Sequence, residues 1–342
     1  MSNWNQLLTP QGKPLTPTEL AVGFVAAVTD QGLIALTGED SAGFLHNQLT
    51  NDVEHLGLDD VRLAGYCTPK GRLQATFLLW RNEESIFLQL PREIQPALQK
   101  RLSMFVLRAK TKLADATDAP ATQVALGLGG GMAEAVLQTW FDPLPAKPYS
   151  KVEHALGTLL RLADAFGAPR YLWLTSADIA ATVAPVLADK LNVGGNDAWR
   201  LAEIHAGVPQ VGAATQEQFV PQMINYELLG GVNFKKGCYP GQEIVARSQY
   251  LGKLKRRTAL VRIADAAAPG AEVFAESDPS QPCGMVVNAA PNGLGGVDAL
   301  VEMKLDALEQ GTAQAGAVRL GAADGVALEF LPMPYVLDKL DV

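Results

Sequence analysis

The sequence predicts an α+β fold, made of two mixed parts followed by a small C-terminal β-barrel. Three observations predict it. Apolar runs typical of strands alternate with helix-spaced segments up to about His205. A stretch rich in glycine and proline at 118–150 interrupts that rhythm, and from about Thr258 only short strand-like runs recur. The 342 residues, 48% of them hydrophobic, suffice for more than one core. We therefore expect three domains, at 18–117, 118–255 and 256–342.

The first domain has the pattern of an antiparallel sheet with helices. Asp30-Gln31-Gly32 separates two apolar runs and predicts a hairpin between the first two strands. Asp40 or Ser41 can cap a helix that carries Phe44. Pro69-Lys70-Gly71 predicts a turn between two further strands. The predicted strands are 24–28, 33–36, 63–67, 73–80 and 86–90, and the second predicted helix is 94–104.

The second domain begins in the glycine-rich stretch. Gly127, Gly129 and Gly130 follow an apolar run, as in a dinucleotide-binding loop. Met132 stands at the third glycine position of that motif, and we therefore expect a plain turn. A strand at 171–174, helices at 179–191 and 197–205, and then barrel strands are predicted. The barrel strands are 259–263, 285–288, 301–305, 317–320 and 326–330.

Composition excludes several classes of protein. The N-terminal segment lacks the apolar core of a signal peptide, and no run reaches the roughly 18 apolar residues that span a membrane. The three cysteines, Cys67, Cys238 and Cys283, lie far apart, which favours reduced thiols in a soluble cytoplasmic protein. A net charge of −8 disfavours general binding of nucleic acids, and we expect no membrane contact.

The charge is unevenly distributed, because the window from Lys235 to Arg257 holds seven basic residues and one acid, Glu243. Two interpretations stay open at even weight. The window is either a solvated basic face or an anion site beside Cys238 for a carboxylate tail, a phosphate or RNA.

The segment around Cys238 is the least ordinary of the chain. Gly237 and Gly241 bracket the cysteine and allow close backbone approach, and Tyr239-Pro240 disfavours helix there. Two upstream lysines would favour the reactive thiolate, whereas the alternative is a buried, inert cysteine. A Cys–His nucleophile is possible, but the spacing does not select among the four histidines. Zinc or a cluster held by this chain alone is disfavoured, since no C-x-x-C pair exists. The candidate bases are His46, His55, His154 and His205.

The sequence Lys236-Gly237-Cys238-Tyr239-Pro240-Gly241-Gln242-Glu243 matches the signature K-G-C-Y-x-G-Q-E of the YgfZ family. The chain thereby resembles folate-binding proteins related to the glycine-cleavage T-protein and to a mitochondrial iron–sulfur assembly factor. Weaker blocks occur in the family's order along most of the chain. They are 36–41, 44–45 with 48–53, 68–72, Trp199 with 206–207 and Pro209, 219–222, 229–235 and 331–335.

The resemblance implies two ferredoxin-like parts that form a folate-binding ring, plus the C-terminal barrel. It implies tetrahydrofolate or a derivative as ligand and no tightly held metal. It also implies a role in assembling or repairing iron–sulfur proteins, such as the radical enzymes that thiolate tRNA. The implied functional residues are Cys238 with Lys236, Tyr239, Gln242 and Glu243. The implied folate contacts are Trp199 (otherwise a core aromatic), His205, Gln31 and Arg247.

Two departures from the T-protein pattern bear on catalysis. Thr76 stands where those relatives have a catalytic aspartate, and a hydroxyl cannot act as a carboxylate. His205 stands where they have a glutamate that binds the pterin edge, and an imidazole cannot accept two N–H bonds as a carboxylate does. An accessory protein is therefore favoured over the alternative, a tetrahydrofolate-dependent aminomethyl transferase. An RNA-binding module is a third hypothesis, and direct contact with tRNA is not expected.

Overall fold

The structure, a computed structural model, describes residues 4–10, 12–251 and 254–337. Contacts between residues divide the chain into two compact units. The first unit comprises Met1–Ala42, His55–Arg62 and Leu78–Ala206. The second unit comprises Gly43–Glu54, Leu63–Phe77 and Gly207–Val342. Helices and several sheets occur together, so the predicted α+β class is confirmed, whereas the three domain boundaries stay predictions.

The helices and strands of the described residues follow one another in a mixed order. The helices are α1 Trp4–Leu7, α2 Pro17–Val22, α3 Ser41–His46, α4 Gln95–Ser103, α5 Ala133–Leu137, α6 Ala177–Lys190, α7 Asn196–His205, α8 Gln242–Tyr250 and α9 Leu305–Ala313. The strands are β1 Phe24–Ala27, β2 Gln31–Thr37, β3 Val61–Cys67, β4 Leu73–Arg81, β5 Ser85–Pro91, β6 Lys112–Asp115, β7 Val124–Gly129, β8 Ser150–His154, β9 Gly157–Ala165, β10 Ala168–Thr175, β11 Asn192–Gly194, β12 Arg256–Ile263, β13 Glu272–Ala275, β14 Asp278–Pro291, β15 Val297–Lys304, β16 Val318–Leu320 and β17 Leu328–Leu331.

A six-stranded sheet in the first unit has the order β11-β1-β7-β10-β9-β8. Side chains alternate between the two faces of a strand. On β7, Leu126 and Leu128 join the core that packs against α6. Gly127 and Gly129 point to the opposite face, where a Cβ at Gly127 would overlap the Trp199 ring of α7. The predicted plain turn is wrong for Gly127 and Gly129, which lie within β7 and make room for side chains of the same unit, and the chain turns only from Gly130 onward.

The predicted hairpin around Asp30-Gln31-Gly32 is wrong. Both strands form, but β1 pairs with β11 and β7, whereas β2 pairs with β5 and β6 in a different sheet. That second sheet has five strands in the order β3-β4-β5-β2-β6. The polar Asp30 turn therefore moves the chain from one sheet to another instead of folding it back on itself. A local turn signal does not reveal which strand an apolar run will pair with.

The C-terminal sheet of the second unit is antiparallel and has the order β16-β13-β14-β15-β12-β17. Its five predicted strands are present, and β13 was missed. Arg319 of β16 forms a bridge with Ala327, which precedes β17, so the sheet curls into a half-barrel. Apolar residues of these strands and Ala307 of α9 form its core. The barrel expectation is confirmed in this coarser form.

Within the described ranges, no helix combines the length and the hydropathy that crossing a lipid bilayer requires.

Candidate functional site

Cys238 lies on irregular chain in the second unit, four residues before helix α8 begins at Gln242. Its side chain is exposed, whereas Cys67 and Cys283 are buried. Burial raises the pKa of the Cys67 thiol to about 12 and also raises that of Cys283, so both are held as unreactive thiols. Of the three cysteines, Cys238 is therefore the one that a partner or ligand can reach.

Two glycine turns fix the course of the chain after Cys238. Gly241 has a φ of 81° and Gly71 a φ of 70°, which are left-handed values that favour glycine. A Cβ at Gly241 would overlap the Thr68 carbonyl oxygen and would lie 2.7 Å from Gly71 N. The β3–β4 turn thus packs on the start of α8 backbone to backbone, and the predicted turn at 69–71 is part of the site.

Lys236 attaches the cysteine loop to the segment that follows helix α3. Its Nζ donates hydrogen bonds to the His46 carbonyl and, at 2.9 Å, to the Leu49 carbonyl. The ammonium also lies 4.8 Å from the centre of the Tyr239 ring. Burial lowers the pKa of Lys236 to about 8, although the negative charges of Asp52, Cys238 and Glu54 oppose that shift. Lys236 is thus a half-buried lysine whose Nζ is held by two backbone carbonyls.

Of the four histidines that the sequence left open, His46 belongs to the same unit as Cys238. His46 is buried, and its Nδ1 lies 3.1 Å from Asp52 Oδ1. A Cβ on Gly237 would lie 3.6 Å from His46 Nε2, so the imidazole edge faces the cysteine loop. The Val53 backbone N–H also lies against Nδ1, with 3.4 Å between the two nitrogens. His55, His154 and His205 belong to the first unit.

The other predicted residues of the signature differ in exposure. Tyr239 is buried, and burial raises the pKa of its phenol above the ordinary value. Gln242 is half-buried at the start of α8, and Glu243 is exposed in its first turn. A carboxylate there is favoured by the partial positive charge of the helix N-terminus.

The basic window from Lys235 to Arg257 does not form one surface. Arg257 is buried and paired with Glu227, and Arg256 is paired with Glu302. Lys236 is committed to backbone carbonyls, and Lys253 lies outside the described residues. The exposed cations of the window that the structure describes are Lys235, Arg247 and Lys255. Neither of the two sequence interpretations therefore holds for the whole window.

The predicted folate residues lie in different settings. Trp199 is 2% exposed, and the Arg170 guanidinium lies 4.7 Å from its ring. His205 is half-buried and packs against Phe166, with ring centres 4.4 Å apart and the ring planes tilted by 32°. Gln31 is buried and lines a cavity of about 150 Å³ in the first unit. Arg247 is exposed in the last turn of α8, in the second unit.

Sequence reasoning missed a buried ionic cluster in the first unit. Arg170 Nη1 lies 3.7 Å from Glu203 Oε1, and burial raises the pKa of Glu203 to about 7 against the attraction of Arg170. Within the described chain, Arg170 Nη1 and Tyr149 Oη have no hydrogen-bond partner. The signal was present, since Glu203 follows Trp199 by four residues on α7 and so shares its buried face.

Thr76 occupies a structural position in the second unit. It is buried on β4, and its Oγ1 accepts a 3.0 Å hydrogen bond from the Val211 backbone N–H. Among the described residues, no group of three or more His, Cys, Asp or Glu side chains is arranged to hold a metal ion.

Comparison with curated proteins shows the family. The chain is 32% identical over 252 residues to the tRNA-modifying protein YgfZ of Pectobacterium carotovorum subsp. carotovorum (strain PC1), which covers 74% of both chains. The chain belongs to the YgfZ family. It is also 33% identical over 247 residues to the YgfZ protein of Serratia proteamaculans (strain 568), covering 72% of this chain and 73% of the relative. No protein-family model matches the chain. The resemblance carried by Lys236 to Glu243 is thereby confirmed.

Comparison with solved structures shows the fold. The glycine cleavage system aminomethyltransferase T from Bartonella henselae superimposes with a TM-score of 0.72, over 95% of this chain and 91% of that chain. The two chains are 17% identical, so the likeness extends to architecture alone. The expected relation of YgfZ proteins to the T-protein fold is confirmed, whereas the ferredoxin-like parts and their ring stay predictions.

Proposed function

We propose that this YgfZ family member is an accessory protein of tRNA modification that uses the Cys238 thiol in the assembly or repair of iron–sulfur proteins. The relatives' name, tRNA-modifying protein, supports the first half of the proposal. One observation carries the second half. The signature places Cys238 on an exposed loop fixed by Lys236 and Gly241, while Cys67 and Cys283 are buried.

The geometry suits an exchange with a partner protein. A thiolate is a soft ligand of iron, and an exposed one can approach a partner's cluster or sulfur. The Lys236 ammonium interacts electrostatically with Cys238, and the His46 imidazole edge faces the same loop. The chain's own residues thus supply an accessible, charge-assisted ligand. Iron–sulfur proteins, including the enzymes that thiolate tRNA, are the proposed partners.

Binding of a reduced folate is a separate proposal, because the predicted folate residues that the structure describes in the first unit do not by themselves make a pterin site. The Trp199 ring is enclosed by Gly127 and Arg170. His205 offers one acceptor where a pterin edge presents two N–H donors, and Glu203 is committed to Arg170. The likeness to an aminomethyltransferase supports folate binding only through the fold. No step of the proposed thiol chemistry passes through folate.

An aminomethyl transferase is the second candidate, favoured only by that likeness of fold. Thr76 argues against it, since its hydroxyl bonds to a backbone amide and no carboxylate stands there. Steady-state turnover of an aminomethyl donor with tetrahydrofolate by the purified protein would favour the transferase over the accessory protein.

The cysteine proposal is tested by complementation. A strain lacking the chromosomal gene would carry Cys238→Ala, Cys67→Ala or Cys283→Ala, with protein levels matched by immunoblot. We expect Cys238→Ala to lose the thiolated nucleosides measured in total tRNA by mass spectrometry. The controls Cys67→Ala and Cys283→Ala each remove a buried sulfur and should keep the thiolated nucleosides. Full thiolation with Cys238→Ala would refute a role of the thiol.

A further inference from the structure

We propose that Lys236 is a positioning residue that works as a proton-dependent latch, whose ammonium form anchors the Cys238 loop to the carbonyls after helix α3 and keeps a cation beside the thiol. The latch rests on the proposed function, since it regulates the same cysteine. Its chemistry is nevertheless measured on the purified protein.

The anchoring contacts come from the end of α3, Ser41–His46. The carbonyl oxygens of the last helical turn lack partners within the helix and carry partial negative charge, so a cation is favoured there. Lys236 Nζ donates to the carbonyl of the last residue, His46, and to that of Leu49 just beyond it. One side chain thus joins two segments that lie about 190 residues apart.

The cation has a second partner on the loop itself. The buried Tyr239 ring, 4.8 Å from Nζ, presents a face that attracts an ammonium but not a neutral amine. Lys235 differs in every respect. Its side chain is exposed, and its backbone N–H donates a 2.8 Å hydrogen bond to Asn233 Oδ1. The sequence does not distinguish the two lysines, whereas in the structure only Lys236 makes the contacts of the latch.

The pKa of Lys236 is lower than that of an ordinary lysine. Burial lowers its pKa to about 8, while the facing charges of Asp52, Cys238 and Glu54 favour the ammonium. His46 contributes its carbonyl, and its imidazole pairs with Asp52. Above about pH 8 the amine loses its charge, and with it the charge-assisted bonds, the attraction to the Tyr239 ring and the electrostatic interaction with Cys238. The loop is therefore held in neutral solution and released in mildly alkaline solution.

The first test is the alkylation of Cys238 by iodoacetamide, followed by mass spectrometry of the Cys238 peptide across pH 6 to 10. We expect Lys236→Met to slow alkylation at pH 7 about tenfold, because a partly shielded cation beside the thiolate is lost. Lys235→Met is the matched control. It removes the neighbouring charge from an exposed site and should change the rate by no more than about twofold, since solvent and salt screen it.

The second test separates anchoring from charge. Amide hydrogen exchange of residues 234–240, normalised to intrinsic rates, should rise in the wild type between pH 7 and 9. In Lys236→Met it should be high throughout. Lys236→Arg keeps its charge over this range, so its exchange should not change with pH.

Equal alkylation profiles for Lys236→Met and Lys235→Met would overturn the proposal. So would normalised exchange of residues 234–240 that does not change with pH in the wild type. These outcomes are independent of complementation, because Cys238→Ala could still abolish tRNA thiolation if Lys236 were only a packing residue. Conversely, a working latch with full complementation by Cys238→Ala would refute the proposed function alone.

Discussion

A Cβ at Gly241 tests whether the cysteine loop depends on the close approach of two backbones. Gly241→Ala places a methyl group against the Thr68 carbonyl oxygen and Gly71 N, neither of which can rotate away. The left-handed φ of 81° costs about 1 kcal/mol for alanine. We expect the overlap to add about 2 kcal/mol, for a total near 3 kcal/mol.

Gly230→Ala is the matched control in the same unit. Gly230 has a φ of 75°, and a Cβ there would meet nothing within 4 Å, so it incurs only the conformational cost of about 1 kcal/mol. The difference between the two variants isolates the clash. Urea unfolding followed by circular dichroism measures it, with transition midpoints compared at equal slope. Equal destabilisation by the two substitutions would refute the close packing of Gly241 on the β3–β4 turn.

Two further predictions concern the first unit. Glu203 has a folded pKa of about 7, above the ordinary value of 4.5, so the stability it contributes is complete below pH 4.5 and is lost as pH rises to 7. Over this range the free energy of unfolding should fall by about 3 kcal/mol, and the unfolding midpoint should fall with it. This fall should be absent in Glu203→Gln. A midpoint that falls with pH in the variant as it does in the wild type would contradict the raised pKa. Gly127→Ala should cost about 3 kcal/mol because its methyl overlaps the Trp199 ring, whereas Gly131→Ala, whose nearest atoms would lie 3.8 Å away, should be nearly neutral in the same urea assay.

The elements of this chain were predictable where local periodicity decides them. Helix α6 and the strands around 171–174 and 259–263 follow directly from their apolar spacing. The pairing of β1 and β2 was not predictable, because Asp30-Gln31-Gly32 describes a turn and not the partner that each strand finds. Tertiary contact between distant segments decides that partner.

In the candidate site, too, local features were predictable from the sequence and contacts between distant segments were not. The signature identified Cys238, and its glycines implied close backbone approach, which the packing of Gly241 on Gly71 bears out. The difference between Lys235 and Lys236 was invisible, because it depends on carbonyl groups at His46 and Leu49, far away in sequence. The burial of Arg257 was hidden for the same reason, since its partner Glu227 lies outside the basic window.

The unequal burial of the three cysteines has a practical consequence. Because Cys67 and Cys283 are buried, a maleimide dye or a photocrosslinker added to the native chain would attach at Cys238, and the other two cysteines need not be substituted. The wild-type protein can thus be labelled at a single site, which lies on the signature loop. A crosslinker at that position would report which macromolecules come within its length of the thiol in a cell extract.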